Sequence, residues 1–273
     1  MKRFNRFAFC NRSMSGLLAV MAIFVSTCAI AEPSAHEIME KNFFASKIAS
    51  LKSDATMTLI NDKGQTRERK ISTLQKLKKN GIDSKLVMKF NSPADIAGIG
   101  FLQIEQSDAD DDQWIYLPAL KKTRRLVANN KKDSFIGSDF SYGDFSRPKV
   151  DWYIHKLLRS ELGDGRDCYV VESIPSNDTI RQDHGYSKKI TWVRKDNFLE
   201  QKIEYYDLAG SLLKTQLVTE HKLVEPATHR WFAMHREILN HQTGHKTVLD
   251  FARAEAGVPA PDDLFTTRTI ERE

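Results

Sequence analysis

The feature that most constrains this chain is a side-chain alternation of period two, repeated segment after segment. In Lys85–Asn91, Leu86, Met88 and Phe90 alternate with Lys85, Val87 and Lys89. In Phe198–Tyr206, Leu199, Ile203 and Tyr205 fall on one side and Glu200, Lys202 and Glu204 on the other. Leu213, Leu217 and Leu223 oppose Lys214, Gln216, Glu220 and Lys222 in Ser211–Leu223. Phe232, Met234 and Ile238 share a face in Trp231–Leu239, as do Leu249 and Phe251 in Lys246–Ala254. Successive side chains of a strand point to opposite faces. Strands that are apolar on one side and charged on the other therefore predict an antiparallel sheet with one solvated face.

Turn signals separate these segments. Asn61–Gly64, Gly163–Arg166, Lys195–Asn197, Asp207–Gly210 and His241–Gly244 each supply Gly, Asn or Asp where a hairpin needs positive φ. The count is roughly eleven strands, mostly joined by hairpins. A one-sided sheet of that size curls, and helices must cover its apolar face. The class is thus α+β, mainly β. Three segments can serve as covers. Ser34–Glu37 reads as a capping box that opens an amphipathic helix with Ile38, Met39, Phe43 and Phe44. Gly137–Phe145 breaks the alternation, and Asp262–Thr266 can form a last helical turn after Pro259 and Pro261. Beneath such covers the sheet can hold either a packed core or a cavity for an apolar ligand, and alternation alone separates neither reading.

The N-terminal end has a different character. Lys2, Arg3, Arg6 and Arg12 precede the apolar run Gly16–Thr27, and Ala29 and Ala31 place small residues where a signal peptidase reads them. Residues 1–31 are expected to be a signal peptide cleaved after Ala31, and residues 32–273 a single exported, periplasmic domain. An uncleaved anchor and lipid attachment at Cys28 are the rival readings; Thr27 fits the second poorly. Cys10 and Cys28 lie in the leader, leaving Cys168 without a disulfide partner. Its strand-like surroundings favour a buried small hydrophobe over a nucleophile. The formal charge of +5 is mostly a leader effect: outside residues 1–31, 37 basic residues face 36 acidic ones. A near-neutral domain argues against nucleic acid as the main partner.

The chain offers little for catalysis. Ser138 and Ser211 follow a glycine but lack the second glycine of a nucleophile elbow, and there is no phosphate or dinucleotide loop. Asp108, Asp110 and Asp112 have calcium-loop spacing, yet Gln113 stands at the required glycine and Ala119 at the closing glutamate. His229, His235, His241 and His245 are split by a turn, which argues against a metal site. No enzyme activity, cofactor or metal is expected. Arg236 shares the apolar side of its strand, where a charge needs an acid partner or a ligand headgroup. Lys121, Lys122, Arg124 and Arg125 form a basic hairpin, either a solvated rim or a patch that touches anionic lipid or an acidic partner.

Several of these segments together resemble the LolA-like family of outer membrane lipoprotein-sorting proteins. The match rests on Asp112–Arg125 followed by Ser134–Asp144, with Pro93–Leu102, Gly165–Val170, Lys195–Leu199, Tyr206–Gly210 and Asp262–Phe265. Gly143 departs from a position that is more often acidic, and Ala97 from one that is more often Lys. The resemblance implies an incomplete antiparallel β-barrel closed by helices around an apolar cavity. It implies a carrier of lipid or lipoprotein acyl chains, with transient membrane contact and a link to inner-membrane RND-type exporters. On that reading Leu86, Met88, Phe90, Trp114, Tyr116, Leu199, Ile203, Leu213, Leu217, Phe232, Met234 and Phe251 line the cavity, with Arg236 at its mouth. Ser138, Asp139 and Phe140 form a lid or hinge, and Lys121, Lys122, Arg124 and Arg125 meet the membrane or a partner. The alternative is an accessory or sensor subunit of an envelope complex that carries no lipid; a lipid hydrolase would need a nucleophile–base pair that no motif supplies.

Overall fold

The computed structural model describes Met1 and residues 32–127, 131–146 and 149–272. The expected signal peptide, with its four cations, Gly16–Thr27 and the cleavage position after Ala31, lies outside the described residues apart from Met1. Pro33–Glu273 forms one compact unit.

Thirteen strands among the described residues form one antiparallel sheet. They are β1 (Ser50–Ile60), β2 (Thr66–Leu77), β3 (Ser84–Ser92), β4 (Gly100–Ile104), β5 (Asp112–Leu117), β6 (Lys122–Leu126), β7 (Tyr153–Gly163), β8 (Arg166–Pro175), β9 (Lys188–Arg194), β10 (Glu200–Tyr206), β11 (Leu212–Glu225), β12 (Arg230–Asn240) and β13 (Lys246–Ala256). The spatial order is β6-β5-β4-β3-β2-β1-β13-β12-β11-β10-β9-β8-β7. Two hairpin meanders, β1–β6 and β7–β13, are thus joined along a seam between β1 and β13, where Met57 pairs with Leu249. The sheet is not closed: β6 and β7 are its two edges. This is the expected incomplete barrel, with two strands more than the eleven expected. In β2 the inward side offers Ile71, Thr73 and Gln75, one apolar residue in three, so its alternation is faint in the sequence.

The helices cover the sheet as their sequences require. Helix α1 (Ala35–Ala45) opens with the capping box: the Glu37 N–H donates to Ser34 Oγ at 3.2 Å, and the Ser34 N–H donates to Glu37 Oε2 at 2.7 Å. These bonds satisfy amides that have no partner inside the helix. Its Ile38, fully buried, packs against Tyr169, Val171 and Val193 of the β8–β9 region.

The long connection between the two edge strands holds a 3-10 turn (Phe135–Gly137) and the short helix α2 (Tyr142–Phe145). Its aromatic residues pack on the inner face. Phe135, Phe140 and Tyr142 are buried among Met57, Ile71, Met88, Phe90, Phe101 and Ile115. Helix α3 (Asp178–His184) links β8 to β9. The C-terminal tail ends in a 3-10 turn (Asp262–Leu264) and helix α4 (Thr267–Glu271). The tail covers the other face, where Phe265 and Ile270 pack on Val87, Leu102, Trp114 and Tyr116. Lys76 and Lys85 hold it through Asp262 at 3.1 and 3.0 Å.

Candidate functional site

Helix α1, the aromatic connection and the inner face of the sheet enclose a cavity of about 280 Å³. Its apolar walls come from both meanders. Leu51, Ala55 and Met57 of β1, Ile71 of β2, and Leu86 and Met88 of β3 face Ile203 of β10, Val218 of β11, Phe232 of β12, and Leu249 and Phe251 of β13. Met39 of α1 and Phe140 and Phe145 of the connection close it.

One end of the cavity is ionic. Lys214, on the inner side of β11, donates from Nζ to Asp144 Oδ2 at 2.6 Å and to the Asp139 carbonyl at 2.8 Å. The Tyr186 hydroxyl donates to Asp144 Oδ1 at 3.0 Å. Burial opposes ionisation of Asp144, but the Lys214 and Lys189 ammonium groups outweigh it and hold the carboxyl below its ordinary range. Lys189 of β9 stands among the rings of Tyr153, Tyr186 and Tyr205; burial pushes its amine down to about 8, against the pull of Asp144. The Tyr205 hydroxyl donates to Gln216 Oε1 at 3.1 Å. Further along, Arg236 lies 3.6 Å from Glu200, which also accepts from Asn42 of α1 at 3.1 Å.

The structure brings together part of the expected lining. Leu86, Met88, Leu199, Ile203, Phe232, Arg236 and Phe251 line the cavity. Phe90 shares their face but lies a layer deeper, 1% exposed, with its ring 6.1 Å from Phe135. Met234 packs beside the wall with Ile48 and Leu51. Four positions are corrected. Trp114 and Tyr116 sit on the opposite face under the C-terminal tail, because Gln113, Ile115 and Leu117 take the inward positions of β5. Leu213 and Leu217 do not line the cavity, and Leu217 is 42% exposed. The inward positions of β11 are instead Lys214, Gln216 and Val218. Lysine and glutamine read as solvent residues in a strand, but here a carboxylate and a phenol on other elements receive them.

Of the expected lid, Phe140 lines the cavity, whereas Ser138 and Asp139 border a separate hollow that also includes Leu213. Ser138 donates to the Phe135 carbonyl at 2.7 Å, and Asp139 accepts from the Thr247 hydroxyl at 2.7 Å. Lys121, Lys122, Arg124 and Arg125 are exposed on and beside edge strand β6. Arg125 pairs with Asp112 and lies 6.0 Å over the Trp114 ring.

Among the described residues, no three His, Cys, Asp or Glu side chains are grouped to hold a metal ion. His235 bonds Asp250 at 2.6 Å and His241 bonds Thr215 at 2.8 Å. Cys168 is buried, its thiol donates to Gln201 at 3.3 Å, and burial pushes its pKa up. No helix among the described residues is long and apolar enough to cross a membrane.

A family model described as that of an uncharacterized protein matches residues 82–272. A domain from Vibrio parahaemolyticus assigned to the outer membrane lipoprotein-sorting proteins superimposes at a TM-score of 0.80. It is 29% identical, and the match covers 87% of this chain and 98% of that one. A DUF1329 family protein from Desulfovibrio piger gives 0.79 and 28%, covering 86% and 97%. A LolA superfamily protein from Nitrosomonas europaea shares the fold at 0.66 and 21%, covering 87% and 99%. No curated protein sequence matches the chain.

Proposed function

This chain belongs to the LolA-like family of outer membrane lipoprotein-sorting domains, and from that membership we propose that it is a periplasmic carrier for acyl chains. The observation that carries the proposal is the apolar hollow between the sheet, α1 and the aromatic connection. A lipoprotein or another lipid would place its chains against Leu86, Met88, Ile203, Phe232 and Phe251. Each methylene transferred from water gains ~0.8 kcal/mol, so a partly buried chain is held and can still pass to a better acceptor. No chemical step is part of this role. The segment around Ser138, Asp139 and Phe140 is the lid, and it must shift for a chain to enter. The exposed basic residues of β6 make a brief membrane contact. An inner-membrane RND-type exporter is the partner expected from the resemblance.

The test is native mass spectrometry of protein taken from its own periplasm. Stoichiometric acyl lipid is the expected result. Ile203→Glu or Phe232→Glu should abolish retention with the fold intact by circular dichroism, since both residues face the cavity. If retention survives both, the cavity assignment is wrong. Phe90→Glu is a poor probe, because Phe90 is core and its loss should unfold the domain.

One observation favours a second reading. Edge strand β7 carries Ile154 and Leu162 at 65% and 70% exposure, beside an unpaired backbone edge. An accessory subunit that binds an envelope protein through this edge would use such a surface. Lipid-free protein that stays bound to a partner would support it over the carrier.

A further inference from the structure

The charges at the ionic end of the cavity do not balance. Both oxygens of Asp144 are occupied, by Lys214 at 2.6 Å, by the Tyr186 hydroxyl at 3.0 Å and by the Ser141 N–H at 2.7 Å. Lys189 is the cation left over. Among the described residues its Nζ makes no hydrogen bond or ion pair, and its neighbours are ring faces, with centroids 5.5 Å away for Tyr153, 5.0 Å for Tyr186 and 5.2 Å for Tyr205. Ring faces attract an ammonium but replace its lost hydration incompletely. Burial accordingly lowers its pKa to about 8.

A second observation lies beside the first. The Tyr153 hydroxyl is buried and has no hydrogen-bond partner. Tyr153, His155 and Ser173 line a smaller hollow of about 90 Å³, which shares Lys189, Thr191, Met39 and Asn42 with the main cavity. That volume is several times the space a single buried water needs, enough for a compact oxyanion. Lys189 thus stands where the main cavity meets a smaller, mostly apolar hollow to which Tyr153, His155 and Ser173 add a few polar groups. A buried donor and a half-buried cation, each without an acceptor, are a complementary pair for one ligand group.

We propose that this junction is an oxyanion subsite, and that the cargo is an amphiphile whose ionised carboxylate or phosphate headgroup sits between Lys189 and the Tyr153 hydroxyl while its acyl chain fills the main cavity. The proposal rests on the carrier reading and narrows it from acyl lipid in general to anionic acyl lipid. Neither Lys214 nor Arg236 serves this role, since Asp144 and Glu200 already face them.

The test measures binding of palmitate, hexadecyl phosphate and hexadecanol at neutral pH to the delipidated protein. The wild type should bind at least one anion about ten-fold or more tighter than the alcohol, the scale of one charge-assisted hydrogen bond. The tighter anion identifies the headgroup as carboxylate or phosphate. Lys189→Met should abolish this preference, bringing anion affinity to that of hexadecanol. Tyr153→Phe removes only an unpartnered hydroxyl, so it should fold normally and weaken anion binding several-fold. Equal binding of anions and alcohol by the wild type, or a preference that survives both variants, overturns the subsite and leaves the carrier reading standing. Failure of all three ligands to bind overturns the carrier reading itself.

Discussion

Lys214 and Asp144 show how much a single pair can depend on its partner. Their side chains are 5% and 2% exposed, and Coulomb attraction between them offsets a large loss of hydration. Removing one partner strands the other. Asp144→Asn should therefore destabilise the domain by about 3–5 kcal/mol, while the double variant Asp144→Asn with Lys214→Met recovers much of the loss. Denaturant unfolding of the single and double variants measures both. His184 gives a pH-dependent counterpart. It is buried in contact with Trp152 and Tyr153, and burial, with Lys189 and Lys131 nearby, lowers its pKa to about 3. The native imidazole stays neutral where the unfolded chain takes up a proton, below pH ~6.5. Stability should fall by up to about 1.4 kcal/mol per pH unit as pH drops from there toward 3. The lowered carboxyl of Asp144 adds to the loss at the acid end, since its contribution fades as pH falls through its native pKa. Thermal midpoints between pH 4 and 7 should slope less steeply in His184→Gln than in the wild type, the remainder coming from His155 and His221, whose pKa values burial also lowers; an identical slope in both would refute the assignment. These residues were the least legible in the sequence. Arg236 stood out because a charge interrupted an apolar face. Lys189 and Lys214 did not, because a lysine in a strand looks solvated until its neighbours from distant elements are known.

At the scale of elements, alternation located most strands but did not always give their phase. Period two fixes which residues share a face, not which face is inward. In β10 Lys202 and Glu204 mark the outer face, but the register shift before Lys202 turns Glu200 inward to Arg236. β5 has apolar residues on both faces, and the C-terminal tail is what makes its outer face a second core. That tail approaches so closely that Gly100 of β4 is needed: a Cβ there would lie 2.5 Å from the Ile270 carbonyl oxygen. Gly100→Val should displace α4, uncover Trp114 and Tyr116, and destabilise the domain by about 1–3 kcal/mol, the usual range for overpacking. Faster hydrogen exchange in β4 and β5, with β9 and β10 unchanged, is the expected signature. By contrast, α1 was legible in full, because its capping box is a local interaction that needs no knowledge of the fold.

For the whole molecule, topology explains why cavity and edges occur together. A sheet of two meanders sealed at β1 and β13 must leave β6 and β7 as free edges, and the connection between those edges runs inside as a plug. An incomplete barrel with an internal plug has room to open, which a closed barrel with a filled interior lacks. The family resemblance supplied this picture; alternation alone left both readings open, with a packed core the commoner outcome. The basic hairpin then acquires a position, since Lys121, Lys122 and Arg124 lie exposed at one free edge of a domain whose remaining charge is nearly balanced. A near-neutral protein with one local basic edge should bind anionic membranes weakly and reversibly. Each lysine or arginine near an anionic surface contributes about 1 kcal/mol, and the attraction falls off within a Debye length of about 10 Å at 0.1 M salt. Sedimentation with phosphatidylglycerol vesicles should therefore detect binding at low salt that is largely lost by 0.5 M. The triple variant Lys121→Gln, Lys122→Gln and Arg124→Gln should weaken the low-salt association by about two orders of magnitude, by the same per-residue contribution. Association that ignores salt, or that the triple variant leaves intact, would move the membrane contact away from this edge and toward the apolar stripe on β7.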